Sequence, residues 1–399
     1  MAFAKRITKV KIAEKLIFVY LAIFPLGQII RFKISLLGAL YPLHPLDIVA
    51  FLFLTLFVLG KVKQPQVFKY FLSFLAAAAF STLIASFFLS KAEFIRGVFY
   101  LLRLTAYVSF IPIVWSLFAK KNKKEPLFRS LIAITFATAI FGWIQYLWLP
   151  DLRDLKYIGW DDHYFRLFGT FLDPGFTGII LVFGSLTALP LYLKTKKYGY
   201  LSLVIFFLFT LILTYSRASY LAFLVGLIAL LFQTRKILFK YLLIISAFFV
   251  ILIPFLPRDI SEAAKLERTY SIFAKFDDFR DTIAIYKNEP VFGVGYNNIC
   301  AARARYLNKG DEASHACSGS DSSILLILAT TGIVGLIIFM NLLKNISDNI
   351  ANNIWGRAFK ACASALLAHS LFVNSLFYPW VMGFMAILLA ISIKGKSEV

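Results

Sequence analysis

The chain has 399 residues, of which 60% are hydrophobic, 17% aromatic and only 16% charged, and its mean hydropathy is +0.78. Soluble domains carry about a quarter charged residues, so this composition excludes a soluble globular protein and reads as an integral membrane chain. The net charge of +21 does not point to nucleic acid, because the basic residues cluster in short loops between apolar runs, where they set membrane orientation.

About 12 apolar runs are candidate spans of a bilayer core. They lie near 14–30, 46–60, 70–89, 95–118, 127–149, 176–193, 199–215, 218–233, 238–256, 322–343, 357–376 and 379–393. The first is read as a retained anchor, since no small-residue cleavage site follows it. The fold expected is all-α, a polytopic membrane bundle without internal repeat. Lysine and arginine concentrate in alternate loops: Lys5/Arg6/Lys9/Lys11, Lys61/Lys63/Lys69, Lys120/Lys121/Lys123/Lys124, Lys194/Lys196/Lys197, Arg235/Lys236/Lys240 and Lys394/Lys396. By the positive-inside rule both termini are cytoplasmic. The expected organisation is a membrane bundle of helices 1–9 over 1–256 with an outer loop at 150–175. A large extracytoplasmic loop with an amphipathic helix follows at 257–321, then helices 10–12 and a cytoplasmic tail over 322–399.

Ionisable groups inside or at the edge of spans are costly and are functional candidates by default. Asp47 and Arg103 lie beside and within spans, and either pair with each other or line a cavity. Arg166 stands in DDHYFRLFGTFLDPGFTG, where Gly169, Pro174, Gly175 and Gly178 shape a turn into the next span. It is a candidate anion-binding group, with a salt bridge to Asp161, Asp162 or Asp173 as the competing reading. His163 in the same stretch reads as a solvated loop histidine. Arg217 falls in LILTYSRASYLAFLVG with almost no loop around it; its planar fork suits bidentate binding of phosphate, and snorkelling to lipid headgroups is the plainer alternative.

The large loop has a pattern of its own. Phe273, Phe276, Phe279, Ile283 and Tyr286 recur at helical spacing. Arg280 falls at the edge of that apolar face and Asp278 well away from it. Such a helix either lies flat on the membrane surface or packs on the bundle. GVGYNN lacks the third glycine of a dinucleotide fingerprint. Cys300 and Cys317 in this loop either bridge in an oxidising compartment or stay free thiols. Two residues are candidates for a general base: Asp321, which also suits a helix N-cap, and His315, with its suitable unperturbed pKa. His44, His163, His315 and His369 are scattered without metal-ligand spacing, so metal-independent chemistry is expected.

In order along the chain, FRLFGTFLDPGFTG, LTYSRASYLA, PVFGVGYNN and DSSILLILATTGIVGL resemble the signature segments of the O-antigen ligase/polymerase superfamily, membrane enzymes that transfer lipid-linked glycans. The resemblance implies a metal-independent, inverting glycosyltransferase acting at the outer face of the inner membrane, with no cofactor. It implies a polyprenyl-diphosphate-linked glycan as donor and a glycan or lipid-linked acceptor, in contact with membrane lipids. A chain-length regulator protein is the implied protein partner. Arg217 matches the family's diphosphate-binding arginine, and Arg280 falls where the family has another functional arginine. Arg217 and Arg280 are expected to hold the diphosphate and stabilise it as the leaving group, and Arg166 to orient one glycan. The position usually held by a histidine base in ligases is Asp321 here, with His315 six residues earlier. Polymerases of the superfamily often carry aspartate there, as do related peptidoglycan-polymerising membrane proteins. The reading is therefore a polymerase of lipid-linked repeat units. A ligase acting on a lipid A core or protein is the alternative, and a lipid-linked sugar transporter is a third, weaker reading.

Overall fold

The computed structural model of the chain describes residues 2–36, 39–60, 62–118, 121–158, 163–234, 269–310, 317 and 319–394. The expected span 238–256, Asp161, Asp162 and His315 lie outside the described residues. The described chain is helical nearly throughout, as an apolar chain must be when no water is present to satisfy its backbone groups.

The helices are α1 (Ala2–Ile23), α2 (Pro45–Leu59), α3 (Phe68–Ala85), α4 (Lys91–Val108), α5 (Phe110–Leu117) and α6 (Lys121–Trp148). They continue with α7 (Pro174–Thr195), α8 (Tyr198–Ile212), α9 (Arg217–Thr234), α10 (Thr269–Asn288), α11 (Ile299–Leu307), α12 (Ser323–Asn349), α13 (Ile354–His369) and α14 (Pro379–Ser392). Among the described residues, five helical segments are long and apolar enough to cross a membrane, and α2, α8, α9 and α14 are shorter apolar helices. The expected spans and the observed helices coincide closely through the bundle.

The core runs along α7. Every residue from Thr177 to Leu191 in it is buried, as expected of a helix that is apolar all round and enclosed by others. α7 packs against α6, α8, α9 and α13, and α9 lies along α13, where Gly226 meets Ala365 and the Ala361 carbonyl. α12 packs on α3 and α10.

Asp47 and Arg103 form a buried ion pair. Arg103 Nε donates to Asp47 Oδ1 at 2.7 Å and Nη2 to Oδ2, with Tyr107 Oη and the His44 amide also donating to Asp47. Leaving either charge unmatched there would cost several kcal/mol, about 3–5.

Two segments depart from the helical expectation. After α1 the chain does not run helical to residue 30. Pro25 and Gly27 (φ +57°) end it, and a β-hairpin of β1 (Phe32–Leu36) and β2 (Ala39–Leu43) follows. The expected span 357–376 stops at His369, and residues 370–378 form a loop. This loop is held by Ser323, whose hydroxyl donates to the Asn374 side chain at Oδ1 and accepts from the Leu376 backbone amide.

The amphipathic helix α10 is turned the opposite way from a helix packing its apolar face on protein. Asp278, Asp281, Thr282 and Ile285 are buried, while Phe273 and Phe276 are 66% and 64% exposed. The acids face inward because α11 supplies Arg303, which is 2% exposed and bonds both carboxylates. The exposed apolar stripe is what a helix lying in a bilayer interface presents to lipid.

Candidate active site

The four segments pair in space, the Arg166 segment with the Arg217 segment and the glycine turn with the helix from Ser323. Around Arg166, the Gln145 side chain accepts from the Phe168 and Gly169 amides and donates to the Arg166 carbonyl. The Leu167 amide donates to the Leu213 carbonyl, and the Arg166 guanidinium donates to the Thr214 carbonyl at 3.1 and 3.3 Å. Asp173 then N-caps α7 through the Phe176 amide, with Pro174 at the first helical position.

Arg217 is the first residue of α9. Ahead of it, Tyr215 takes a positive φ of 50°, turning the chain sharply out of α8. Ser216 accepts from the Ser219 amide and shares a hydrogen bond with its hydroxyl, and Ser219 reaches His369 Nε2 at 3.1 Å. His369 Nδ1 meets Ser375 at 3.0 Å. The start of α9 is thus tied to the end of α13 and to the 370–378 loop.

The glycine turn and the start of α12 form the third junction. At Gly332 (φ +65°, ψ −170°) α12 is broken, and a Cβ there would sit 2.1 Å from the Val291 carbonyl oxygen. Gly293 (φ +73°) faces the same junction, where a Cβ would meet the Thr330 carbonyl carbon at 2.5 Å. Such backbone-to-backbone approach admits only glycine. The polar groups freed by the break are satisfied across it: Val294 donates to Ala329, Ile333 to Pro290, Val334 to Val291, and the Ser81 hydroxyl to Thr330. Every orphaned group would otherwise be expensive in a membrane.

These junctions surround a cleft of about 770 Å³, within the usual range for small-molecule sites of roughly 300–1,000 Å³. Arg31, Arg103, Arg166, Arg217 and Lys275 line it, against Asp173 and Asp321. Residues at or beside the first turns of α2, α7, α9, α12 and α14 also line it. Helix N-termini carry partial positive charge and unpaired N–H groups, so their convergence adds to the arginines in favouring an anion. His44, at the start of α2, faces the cleft as neutral imidazole at neutral pH, because burial pushes its pKa down to about 4.

Asp321 lines the cleft with Gly319 and Ser320. It is not the cap of α12: Ser322 takes that role, its hydroxyl accepting from the Leu325 amide. The carboxylate is therefore left to the cleft, where Lys275 Nζ approaches Oδ1 at 3.6 Å while donating to the Phe372 carbonyl at 2.6 Å. Two anchors hold this segment. The Asp278 carboxylate accepts from the Asp321 amide at 2.8 Å and the Ser320 hydroxyl at 2.9 Å, and it pairs with Arg303. A Cys300–Cys317 disulfide ties the same stretch to α11.

The structure thus gathers Arg166, Arg217 and Asp321 on one cleft. Arg280 lies on the exposed side of α10, next to Phe279, which does line the cleft. His315 lies outside the described residues. Sequence reasoning passed over Lys275, Arg31 and Asn374 as cleft residues and Asp278 as an anchor. Lys275 carried a signal, a cation between Phe273 and Phe276 in sequence that flanks the apolar stripe. Asn374 carried a weaker one, a turn-forming Asn-Ser pair shortly before Pro379.

No curated protein matches the chain. Residues 201–340 match the family model described as O-antigen ligase. That stretch includes the Arg217 segment, the glycine turn and the broken start of α12, whereas the Arg166 segment precedes it. With its series of apolar helices, the chain is a multi-pass membrane protein whose residues 201–340 resemble the family described as O-antigen ligase.

Proposed function

We propose that the cleft transfers a glycan from a polyprenyl-diphosphate carrier to the hydroxyl of a second glycan. The chain would thereby polymerise lipid-linked repeat units at the outer face of the inner membrane. One observation carries the reading: Asp321 stands in the same cleft as Arg166, Arg217 and Lys275 and the N-terminal ends of α7 and α9. In the proposed step the Asp321 carboxylate accepts the proton of the incoming hydroxyl. The hydroxyl oxygen bonds the anomeric carbon as the bond to the diphosphate oxygen breaks, and configuration inverts. The diphosphate leaves with the electron pair, and Arg217 with the start of α9 stabilises the charge that develops on it. Arg166 orients one glycan. Arg280 meets the anionic carrier outside the cleft, on the helix whose Phe273 and Phe276 are exposed. The Cys300–Cys317 disulfide supports an outer placement of this segment, since such bonds persist in oxidising compartments.

A second reading, ligation of a finished glycan to a lipid A core or protein, is favoured by the description of the matching family. The test is purified protein with a single-repeat lipid-linked donor and no other acceptor. A ladder of longer chains that is lost in Arg217→Ala and Asp321→Ala but kept in His315→Ala supports the polymerase. Transfer only after a lipid A core or protein is added makes the chain a ligase. A ladder retained in Arg217→Ala would remove that arginine from the mechanism.

A further inference from the structure

The cleft has a further cationic lining, remote in sequence from the segments used above. It is made by the turn and hairpin between α1 and α2. Gln28 is fixed there by its amide donating to the Thr170 carbonyl and its side chain to the Phe171 carbonyl, both at 2.8 Å. Arg31, three residues on, lines the cleft with Gln28, Pro42 and His44. Around Arg31 the chain reads Ile29, Ile30, Arg31, Phe32, Lys33, Ile34. The apolar members are 63%, 38%, 48% and 38% exposed, and both cations are exposed as well. Exposed isoleucines and a phenylalanine interleaved with cations suit a bilayer interface holding anionic headgroups. α10 presents the same combination, with Phe273 and Phe276 exposed beside Lys275.

A transferase that joins two glycans must hold both at once in reactive register. If both are lipid-borne, each enters from the bilayer and each brings a phosphate. Resting on the transferase reading above, we propose that the hairpin flank is the acceptor entrance. There Arg31, with Lys33 beside it, binds the diphosphate of a second polyprenyl-diphosphate-linked glycan. The glycan then runs inward along Tyr100, Arg103 and Tyr296, which line the same cleft. Arg217 and Arg166 serve the donor. The two carriers thus approach from different flanks, and their glycans meet at Asp321.

The test uses the full chain in nanodiscs of phosphatidylcholine with a diazirine-bearing undecaprenyl diphosphate, crosslinked peptides being mapped by mass spectrometry. Crosslinks are expected both on residues 27–43 and on the α9–α10 side. Arg31→Ala with Lys33→Ala should lower the hairpin crosslinks about tenfold, the loss of roughly one charge-assisted hydrogen bond, and leave the others unchanged. Arg31→Lys should retain most of the yield, which separates loss of charge from loss of fold. The proposal is overturned by no hairpin crosslink in the wild type, or by an undiminished one in the double variant. Equal displacement by phosphatidylglycerol would also overturn it, because the hairpin would then be a headgroup anchor only. Absence of transfer by the wild type with lipid-linked donor and acceptor both supplied would sink the transferase reading instead, with these crosslinks unaffected.

Discussion

Asp278 should govern activity without touching substrate, and Asp278→Ala shows why. Its carboxylate is the acceptor for the Asp321 amide at 2.8 Å and the Ser320 hydroxyl at 2.9 Å, and it shares the buried Arg303 with Asp281. Truncation leaves two donors without their acceptor, each costing about 1–3 kcal/mol. Arg303 keeps Asp281 at 2.8 Å, so the full penalty of stranding a buried charge, about 3–5 kcal/mol, is not added. A loss of about 3 kcal/mol, local to α10, α11 and the 319–321 segment, is expected. Asp278→Asn keeps an oxygen for both donors and should lose roughly half as much. Hydrogen exchange of the α10 and α11 amides measures the opening. Transfer kinetics should show kcat falling at least tenfold in Asp278→Ala with KM changing little, because Asp321 is misplaced while the arginines are intact. Unchanged exchange and unchanged kcat in Asp278→Ala would refute the anchor. Faster exchange with an unchanged kcat would refute the need for Asp321 to be held. The pH dependence has a definite sign. Burial, opposed by the hydrogen bonds and Arg303, holds the Asp278 carboxyl above its ordinary range. The folded chain therefore keeps that proton more tightly than the unfolded one. The contribution is complete below the ordinary carboxylate pKa of about 4 and is lost as pH rises through the folded value. Asp278→Asn should flatten that part of the stability curve.

Gly332→Ala should be destabilising by about 3 kcal/mol or more, since a Cβ would sit 2.1 Å from the Val291 carbonyl oxygen in a glycine-only backbone region; a thermal midpoint equal to wild type would show that the junction with the 290–294 turn is loose. Cys300→Ser, or a reductant, opens a loop of sequence separation 17; it should cost about 3 kcal/mol and lower transfer by freeing the segment that carries Asp321. Activity insensitive to reductant, with the bridge shown to be reduced, would rule that out.

The membrane class and most helices were readable because an apolar run long enough to cross a bilayer has little choice but to form a helix. The exceptions are instructive. Residues 370–378 are at least as apolar as the helix before them, so hydropathy carries the expected span through to 376. The chain instead leaves the helix at His369 because Ser323 offers its backbone other partners. The hairpin after α1 falls between the expected spans 14–30 and 46–60, where hydropathy alone carries no signal for local β pairing. On α10 the period was right, but which face turns inward depended on Arg303, from another helix.

The sequence by itself determined the class, the order of the helices, and the chemical types of Arg166, Arg217 and Asp321, since these follow from composition, local spacing and motif resemblance. Only the tertiary structure decided that those residues share a cleft, that Lys275 stands 3.6 Å from Asp321 while Arg280 points elsewhere, and that Ser322 and not Asp321 caps α12. The physical reason is separation along the chain. Asp278 and Asp321 lie 43 residues apart, and the Arg166–Thr214 bond spans 48. Contacts of that range depend on how helices pack, which no local run of residues encodes.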